Sequence, residues 1–135
     1  MVSRQLKHLR GKSRTIEVTL DDSLLWSESN ELSLLSLAST TGITSVVFKL
    51  AYDLVQTFLT EDLTSVVIEA SIRHVSPVQV RKVVAVGVKI LDVVENKLKI
   101  RGVVMSGDTK ILETEFIRSV VSKNYLRRIS VAKTS

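Results

Sequence analysis

The chain has 135 residues and no cysteine, which excludes disulfides, thiolate nucleophiles and cysteine-ligated zinc sites. Nineteen Lys and Arg against fourteen Asp and Glu give a net charge of +5, which favours an anionic ligand but is weaker than the concentrated charge of a dedicated nucleic-acid binder. Aromatic residues make up 4% of the chain, too few for a platform that stacks single-stranded bases. The length predicts a single domain, residues 1–135.

The two ends of the chain are polar and basic. No stretch approaches the roughly 18 apolar residues of a membrane span, and the start of the chain lacks the apolar segment of a signal peptide. We therefore expect a cytoplasmic protein without a membrane partner. Residues 1–13 and 122–135 are basic termini: either they are solvated segments, or they bind phosphates of a nucleotide-bearing ligand or of nucleic acid. Their basic residues are Arg4, Lys7, Arg10, Lys12, Lys123, Arg127, Arg128 and Lys133.

The first part of the expected core, which spans about 14–121, contains one clear element and one ambiguous segment. Residues 14–20 alternate apolar and polar positions through Ile16 and Val18, as a half-buried strand does. Residues 23–38 are rich in Leu and Ser around Trp26. Their periodicity is compatible with a short helix or with a packed loop.

The clearest element is a strongly apolar helix over 43–59, where apolar residues keep an i, i+3, i+4, i+7 spacing for about four turns. Thr40 and Thr41 precede it as capping candidates. A second, mainly polar face predicts that the helix contacts two neighbours. That face carries Thr41, Ser45, Lys49, Tyr52 and Gln56.

Four strands follow the helix, over 64–74, 82–94, 97–105 and 109–121. The turn residues at 95–96 and 106–108 predict that the last three form an antiparallel meander. One strand, one long helix and four further strands predict an α+β domain in which a curved antiparallel sheet wraps around the central helix.

Three segments in this order resemble the hotdog-fold thioesterases, and most closely the fluoroacetyl-CoA thioesterase-like group: Ser39–Gly42, Ile72–His74 and Phe116–Val121. The resemblance spans about residues 15–121. It implies a hotdog fold, and a homodimer or dimer of dimers whose sheets join edge to edge. It also implies an acyl-CoA site between the helix of one subunit and strands of both, and we expect His74 to lie close to the start of the central helix across the dimer interface. Coenzyme A then belongs to the substrate, and neither a further cofactor nor a metal is expected.

The family uses a Thr, a Glu on the central helix, a His and a Gly after the His. The resemblance implies Thr41 and His74 as the catalytic Thr and His. Lys49 stands eight residues after Thr41, where the Glu is expected, and Arg81 stands seven residues after His74, where the Gly is expected. The expected substrate-binding residues are Gly42, Ser45, Lys49 and Arg81.

Each of these roles has an alternative. Thr41 can supply a hydroxyl, with His74 as the base and the amides of the helix start as oxyanion donors, but Thr41 can equally be a plain N-cap and His74 a structural residue. Lys49 can only donate hydrogen bonds, to a thioester carbonyl or a phosphate, unless it is simply solvated.

Three further polar residues allow two interpretations. Tyr52 and Gln56 can line an acyl pocket or pack at a subunit interface. We expect Arg118 to be a charged residue of a strand, at a rim or an interface.

The function that follows is an acyl-CoA-binding hotdog protein that hydrolyses the thioester. The alternative is a non-catalytic acyl-CoA-binding or regulatory protein, which the loss of the helix Glu favours. A third hypothesis, a basic nucleic-acid-binding module, is supported by the basic termini alone. Because Lys49 cannot take up a proton as a carboxylate does, we expect weak hydrolysis of fluoroacetyl-CoA.

Overall fold

The computed structural model describes residues 6–134, with side chains described to residue 132. Short 3-10 turns cover Lys7–Leu9 and Asp22–Leu24. None of the helices in the described range is long and apolar enough to cross a membrane. The elements in chain order are β1 (Ser13–Thr19), α1 (Asn30–Ser33), α2 (Thr40–Gln56), β2 (Leu63–His74), β3 (Val83–Val94), β4 (Lys97–Ser106), β5 (Thr109–Ser122) and α3 (Lys123–Thr134).

The five strands form one antiparallel sheet in the order β1-β3-β4-β5-β2. Strands β3, β4 and β5 are the predicted meander, joined by tight turns in which Glu95 and Gly107 adopt φ of 56° and 58°. Strand β2 leaves the helix and pairs with β5 at the far side of the sheet. One long edge of the sheet is therefore β2.

Helix α2 packs across one face of the sheet and confirms the predicted α+β arrangement. Its buried residues include Ile43, Val47 and Leu50. The helix lies close to the sheet at Gly102 on β4, where an added Cβ would lie 2.3 Å from a methyl carbon of Val47. A glycine at this position is what allows the helix to lie so close to the sheet.

The helix begins at Thr40, one residue earlier than a Thr40 cap would allow and two residues earlier than a Thr41 cap would allow. Ser39 is the N-cap: its backbone is extended, with φ −75° and ψ 153°, and its hydroxyl accepts a hydrogen bond from the Gly42 amide at 2.9 Å. The prediction of Thr40 or Thr41 as the cap was wrong, because both already lie inside the helix. The helix also ends at Gln56, short of the predicted end at residue 59.

The ambiguous segment 23–38 is a packed loop that contains the four-residue helix α1. Backbone hydrogen bonds attach it to the start of α2: the Trp26 amide donates to Leu37, and the Ser39 amide donates to Leu24, at 2.7 and 2.8 Å. The Ala38 amide donates to Val78, in the segment that follows β2, at 2.8 Å. The loop, the helix start and the end of β2 are thus held together.

The core extends beyond the expected span of 14–121. Leu6 and Leu9 are 2% and 0% exposed, so the residues before β1 contribute apolar side chains as well as charge. At the other end, the basic terminus predicted over 122–135 contains helix α3. The basic side chains at Arg4 and Lys133 lie outside the described residues.

Candidate functional site

A cavity of about 380 Å³ opens at the N-terminal end of α2, where the 23–38 loop, the helix start and the end of β2 meet. Two residues expected to act together from the sequence, Thr41 and His74, both line it. Polar side chains from the helix start face apolar ones from the loop and from the segment after β2. The complete lining is Trp26, Glu28, Leu37, Ala38, Ser39, Thr40, Thr41, His74, Val75, Ser76 and Pro77.

The hydroxyl that contacts His74 belongs to Thr40. Its Oγ1 lies 2.7 Å from His74 Nδ1, a hydrogen-bond distance. The sequence predicted this role for Thr41, which lines the cavity next to the pair. Successive helix residues project about 100° apart, so moving the helix start by one residue changes which threonine meets the imidazole. We also expected the His to approach the helix start across a subunit interface, whereas this contact lies within one chain.

The other ring nitrogen of His74 is sealed from solvent. Nε2 is buried and has no hydrogen-bond partner among the described residues. A tautomer with its hydrogen on Nε2 would bury an N–H group without an acceptor, which native proteins rarely tolerate. The tautomer with hydrogen on Nδ1 donates to Thr40 Oγ1 and leaves the hydroxyl hydrogen of Thr40 available to another acceptor.

The start of α2 adds backbone donors to the cavity. The first amides of an α-helix have no acceptor within the helix, and the helix dipole places partial positive charge there. Ser39 accepts from the Gly42 amide, while Thr40 and Thr41, whose amides come before it, line the cavity. The arrangement suits an oxygen atom that carries negative charge.

Three of the predicted substrate-binding residues lie on α2 outside the cavity lining. The Ser45 hydroxyl donates to the Gly42 carbonyl at 2.6 Å. A Cβ at Gly42 would lie 3.0 Å from the Leu24 Cβ, so Gly42 allows the 23–38 loop to pack on the helix. Lys49 is 69% exposed and forms a 2.9 Å ion pair with Asp53. The structure gives all three a local role and does not bring them to the Thr40–His74 pair.

Arg81, the fourth, also lies outside the cavity lining. Its guanidinium donates twice to the carboxylate of Asp22, at 2.9 and 3.2 Å, and this hydrogen-bonded carboxylate raises the pKa of Arg81. The backbone at Arg81 has φ of 73°, a left-handed conformation that favours glycine. That conformation supports the alignment of Arg81 with the glycine of the family.

Arg118 is a cation buried within the chain, whereas the sequence suggested a charge at a rim or an interface. It is 6% exposed and donates to Ser65 Oγ at 2.8 Å, to Ser65 O at 3.1 Å and to Phe48 O at 3.3 Å. Burial lowers its pKa, although an arginine keeps its charge in proteins. Arg118 thus ties β5 to β2 and to α2.

Tyr52 and Gln56 likewise have structural contacts. The Tyr52 ring lies between two cations, 5.3 Å from Lys49 Nζ and 5.5 Å from Arg118 Cζ. The Gln56 amide donates to the Leu63 carbonyl at 2.9 Å. In the described chain neither residue lines the cavity.

Sequence reasoning missed Trp26 and Glu28. Both line the cavity, and the Trp26 indole N–H donates to Glu28 Oε1 at 2.9 Å. The only signal was a large aromatic residue within a Ser-rich segment. No periodicity assigned it to a face, because long-range contacts place the loop. In the part of the chain that the structure describes, no group of three or more His, Asp or Glu residues is arranged to hold a metal ion.

Solved structures with the same fold cover nearly the whole chain. A hot-dog-like protein from Thermanaerovibrio acidaminovorans is 18% identical, with a TM-score of 0.87 over 96% of this chain and 97% of that one. A variant of the fluoroacetyl-CoA thioesterase FlK in complex with acetyl-CoA is 14% identical, with a TM-score of 0.83 over 93% and 98%. A thioesterase superfamily member from Thermus thermophilus is 11% identical, with a TM-score of 0.83 over 93% and 92%. These likenesses establish the hotdog fold.

Comparison with proteins of curated function found no match. At the level of sequence families, the model for the fluoroacetyl-CoA-specific thioesterases, FlK, matches residues 18–124. That range includes the central helix, every cavity-lining residue and four of the five strands in full. The chain therefore belongs to the fluoroacetyl-CoA-specific thioesterase family.

Proposed function

We propose that the protein hydrolyses acyl-CoA thioesters in the cavity at the start of α2. The observation that carries the proposal is the 2.7 Å contact between Thr40 Oγ1 and His74 Nδ1, at the start of a helix whose first amides have no acceptor within the helix and whose residues Thr40 and Thr41 line the cavity. Thioester hydrolysis needs donors for the oxyanion that develops on the carbonyl. The start of α2 supplies such donors in a fixed arrangement.

In this proposal the thioester carbonyl lies against the first amides of α2. The Thr40 hydroxyl is a further donor to the oxyanion when His74 donates to its oxygen. His74 is then a positioning residue for Thr40. Thr41 lines the same cavity and remains the alternative source of the hydroxyl.

We expect the substrate to be an acyl-CoA other than fluoroacetyl-CoA. The helix position at which the resemblance places a carboxylate is Lys49, which is bound to Asp53 and lies outside the cavity lining. Trp26, Leu37 and Val75 offer apolar surface to an acyl group. This apolar lining suits an apolar acyl group better than the small, polar fluoroacetyl group, so fluoroacetyl-CoA hydrolysis should be weak.

Thiol release from a panel of short, branched and aromatic acyl-CoAs tests the proposal. Thr40→Val keeps the shape of the side chain and removes the hydroxyl, and should reduce kcat/KM by about 10²-fold, as loss of an oxyanion donor does. Thr41→Val is the matched variant one residue away and should retain most of the activity. A larger loss in Thr41→Val would transfer the role to Thr41. Binding of CoA thioesters without thiol release would favour the non-catalytic alternative.

We further propose a homodimer formed by pairing of two β2 strands. Strand β2 is an edge of the sheet, 12 residues long, and Ile68 and Ile72 on it are 52% and 41% exposed. An unpaired apolar edge of this length is a template for another strand. Light scattering should report at least twice 15.0 kDa. Ile72→Lys should weaken the dimer, whereas Val94→Lys, at an exposed site away from β2, should not.

The remaining expectations fit this function. A chain without cysteine suits a cytoplasmic protein, and residues 1–135 are proposed to act as one domain. The exposed arginines of α3, Arg127 and Arg128, can attract the phosphates of coenzyme A. Salt-sensitive binding of nucleic acid in preference to acyl-CoA would instead favour the nucleic-acid-binding alternative.

A further inference from the structure

Hydrolysis in this cavity needs a group that takes a proton from the attacking water, and the residue expected there is absent from the helix. The resemblance places a carboxylate at position 49, where the chain has a lysine. An ammonium group carries no lone pair and accepts no proton. The cavity nevertheless contains a carboxylate from another part of the chain: Glu28 is the acidic residue among those that line it.

The carboxylate of Glu28 is oriented by a neighbour. The Trp26 indole N–H donates to Oε1 at 2.9 Å, and this donor serves a carboxylate without neutralising it. A carboxylate has a second oxygen with lone pairs that can accept a proton. Trp26 itself is half-buried, so the indole gives the carboxylate a packed support.

The loop that carries Glu28 is joined to the helix that carries Thr40. The Trp26 amide donates to the Leu37 carbonyl at 2.7 Å, and the Ser39 amide donates to the Leu24 carbonyl at 2.8 Å. Leu25 and Ala38 form a β-bridge between the same two stretches. The backbone segments that carry Glu28 and Thr40 are therefore held together by hydrogen bonds, and a fixed relative position of its groups is what a catalytic arrangement requires.

His74 is poorly placed to be the proton acceptor. Nδ1 already contacts Thr40, and Nε2 is buried away from solvent without a partner among the described residues. If Nδ1 took up a proton from Thr40, the ring would carry a positive charge and an N–H group with no described acceptor. Burying such a group is costly.

We propose that Glu28 is the general base of the reaction, an inference that rests on the proposed thioesterase function. Glu28 takes a proton from a water molecule as the water oxygen bonds to the thioester carbonyl carbon. The resulting oxyanion accepts hydrogen bonds from the start of α2 and from Thr40. The carbon–sulfur bond then breaks, and the coenzyme A thiolate receives the proton from Glu28. The products are a carboxylic acid and free coenzyme A, and Glu28 returns to its starting state.

The test uses the full-length protein and an acyl-CoA that the native protein hydrolyses. Glu28→Gln keeps the acceptor for the Trp26 indole and removes the basic oxygen, and should reduce kcat by about 10²-fold or more with little change in KM. Its pH–rate profile should lose the fall on the acid side that a titrating carboxylate produces. Glu31→Gln is the matched control, since Glu31 is an exposed carboxylate three residues away, outside the cavity lining.

Two further variants separate chemistry from structure. Glu28→Ala should regain part of its rate when formate is added, because a small carboxylate can enter the vacated space and accept the proton. Trp26→Phe should lower kcat less than Glu28→Gln, since it keeps an aromatic side chain and the carboxylate while it removes the orienting N–H together with part of the indole ring system. Thermal unfolding should show all variants folded.

The outcomes distinguish this inference from the function on which it rests. If Thr40→Val loses activity while Glu28→Gln keeps the native rate and pH profile, the thioesterase function stands and the role of Glu28 is overturned. A change in KM alone for Glu28→Gln would also overturn it, because that result marks a binding residue. If the native protein releases no thiol from any acyl-CoA, function and inference fall together.

Discussion

The polar groups at the two ends of helix α2 lie in different surroundings. At its C-terminal half, Lys49 pairs with Asp53, and Gln56 bonds to a carbonyl of β2. Beneath it the buried Arg118 has three hydrogen bonds. At its N-terminal end, Thr40 and the amides around it face an open cavity.

This difference distinguishes the polar groups that stabilise the fold from those that belong to the candidate site. Buried polar groups are normally hydrogen-bonded, and an exception calls for an explanation. Arg118 follows the rule despite its charge, so it stabilises the junction of sheet and helix. His74 breaks the rule at Nε2, and it does so beside the cavity. Function is therefore expected at the end of the helix that lies beside His74 and the cavity.

The largest effect on activity is expected when the imidazole of His74 is removed. His74→Ala should reduce thiol release by about 10²-fold, because Thr40 loses the group that fixes its hydroxyl. In the double variant with Thr40→Val the losses should not add, since both changes remove one contact. Steady-state kinetics on the three variants measure this. Fully additive losses would mean that the two residues act separately.

At the other end of the helix, removal of Arg118 should affect stability and not chemistry. Arg118→Ala leaves Ser65 and the Phe48 carbonyl without their donor and creates a cavity, so we expect a loss of about 3 kcal/mol in the free energy of unfolding. Arg118→Met fills more of the space and should lose less. Urea unfolding measures both. A kcat per folded molecule that falls with stability intact would place Arg118 in the site.

A smaller effect is expected at Lys49. Lys49→Glu restores the residue that the resemblance implies, and on sequence grounds alone it should raise hydrolysis. The structure leads us to expect no gain, because position 49 lies outside the cavity lining. The new carboxylate would face Asp53 one turn away and cost about 0.5 kcal/mol. Hydrolysis of fluoroacetyl-CoA that rises in this variant would contradict the placement.

The smallest effect is on acid stability at the outer face of the sheet. The hydrogen bond and charge of Lys110, then the charges of Arg73 and Arg101, lower the pKa of Glu113. A carboxyl whose pKa is lower in the folded state contributes stability above its unfolded pKa of about 4.3 and loses it as the pH falls through the folded value. Glu113→Gln should therefore lose less stability on acidification than the native protein. Thermal unfolding between pH 7 and pH 3 measures this, with Glu61→Gln as a surface control.

The fold was predictable because its signals are local. Alternation, turn residues and the spacing of apolar residues placed each strand to within one or two residues, since burial on one side of a sheet or helix imposes these periods directly. The buried Leu6 and Leu9 were missed because two leucines before β1 carry no period. Helix α3 was missed because its many charges were interpreted as a solvated tail.

The candidate site was predictable only in part. His74 and the start of the helix were identified, but the threonine that contacts His74 is Thr40 and not the predicted Thr41. The N-cap depends on backbone geometry, and the sequence alone does not distinguish Ser39, Thr40 and Thr41 as the cap. Glu28 could not be assigned, since its place depends on long-range hydrogen bonds of the loop, such as the one from the Ala38 amide to the Val78 carbonyl, 40 residues away, at 2.8 Å.

The close approach at Gly102 has a consequence for the distance between Thr40 and His74. Thr40 moves with the helix and His74 with the sheet, so their 2.7 Å separation depends on how deeply the helix is seated. A Cβ at position 102, at 2.3 Å from Val47, is more than an ångström short of an ordinary carbon contact of about 3.5–4.0 Å. A methyl group there would force Val47 or the helix to shift, and an outward shift of the helix would lengthen the distance from the Thr40 hydroxyl to the imidazole. The absence of a side chain at Gly102 therefore helps to set the distance between two residues that Gly102 itself does not contact.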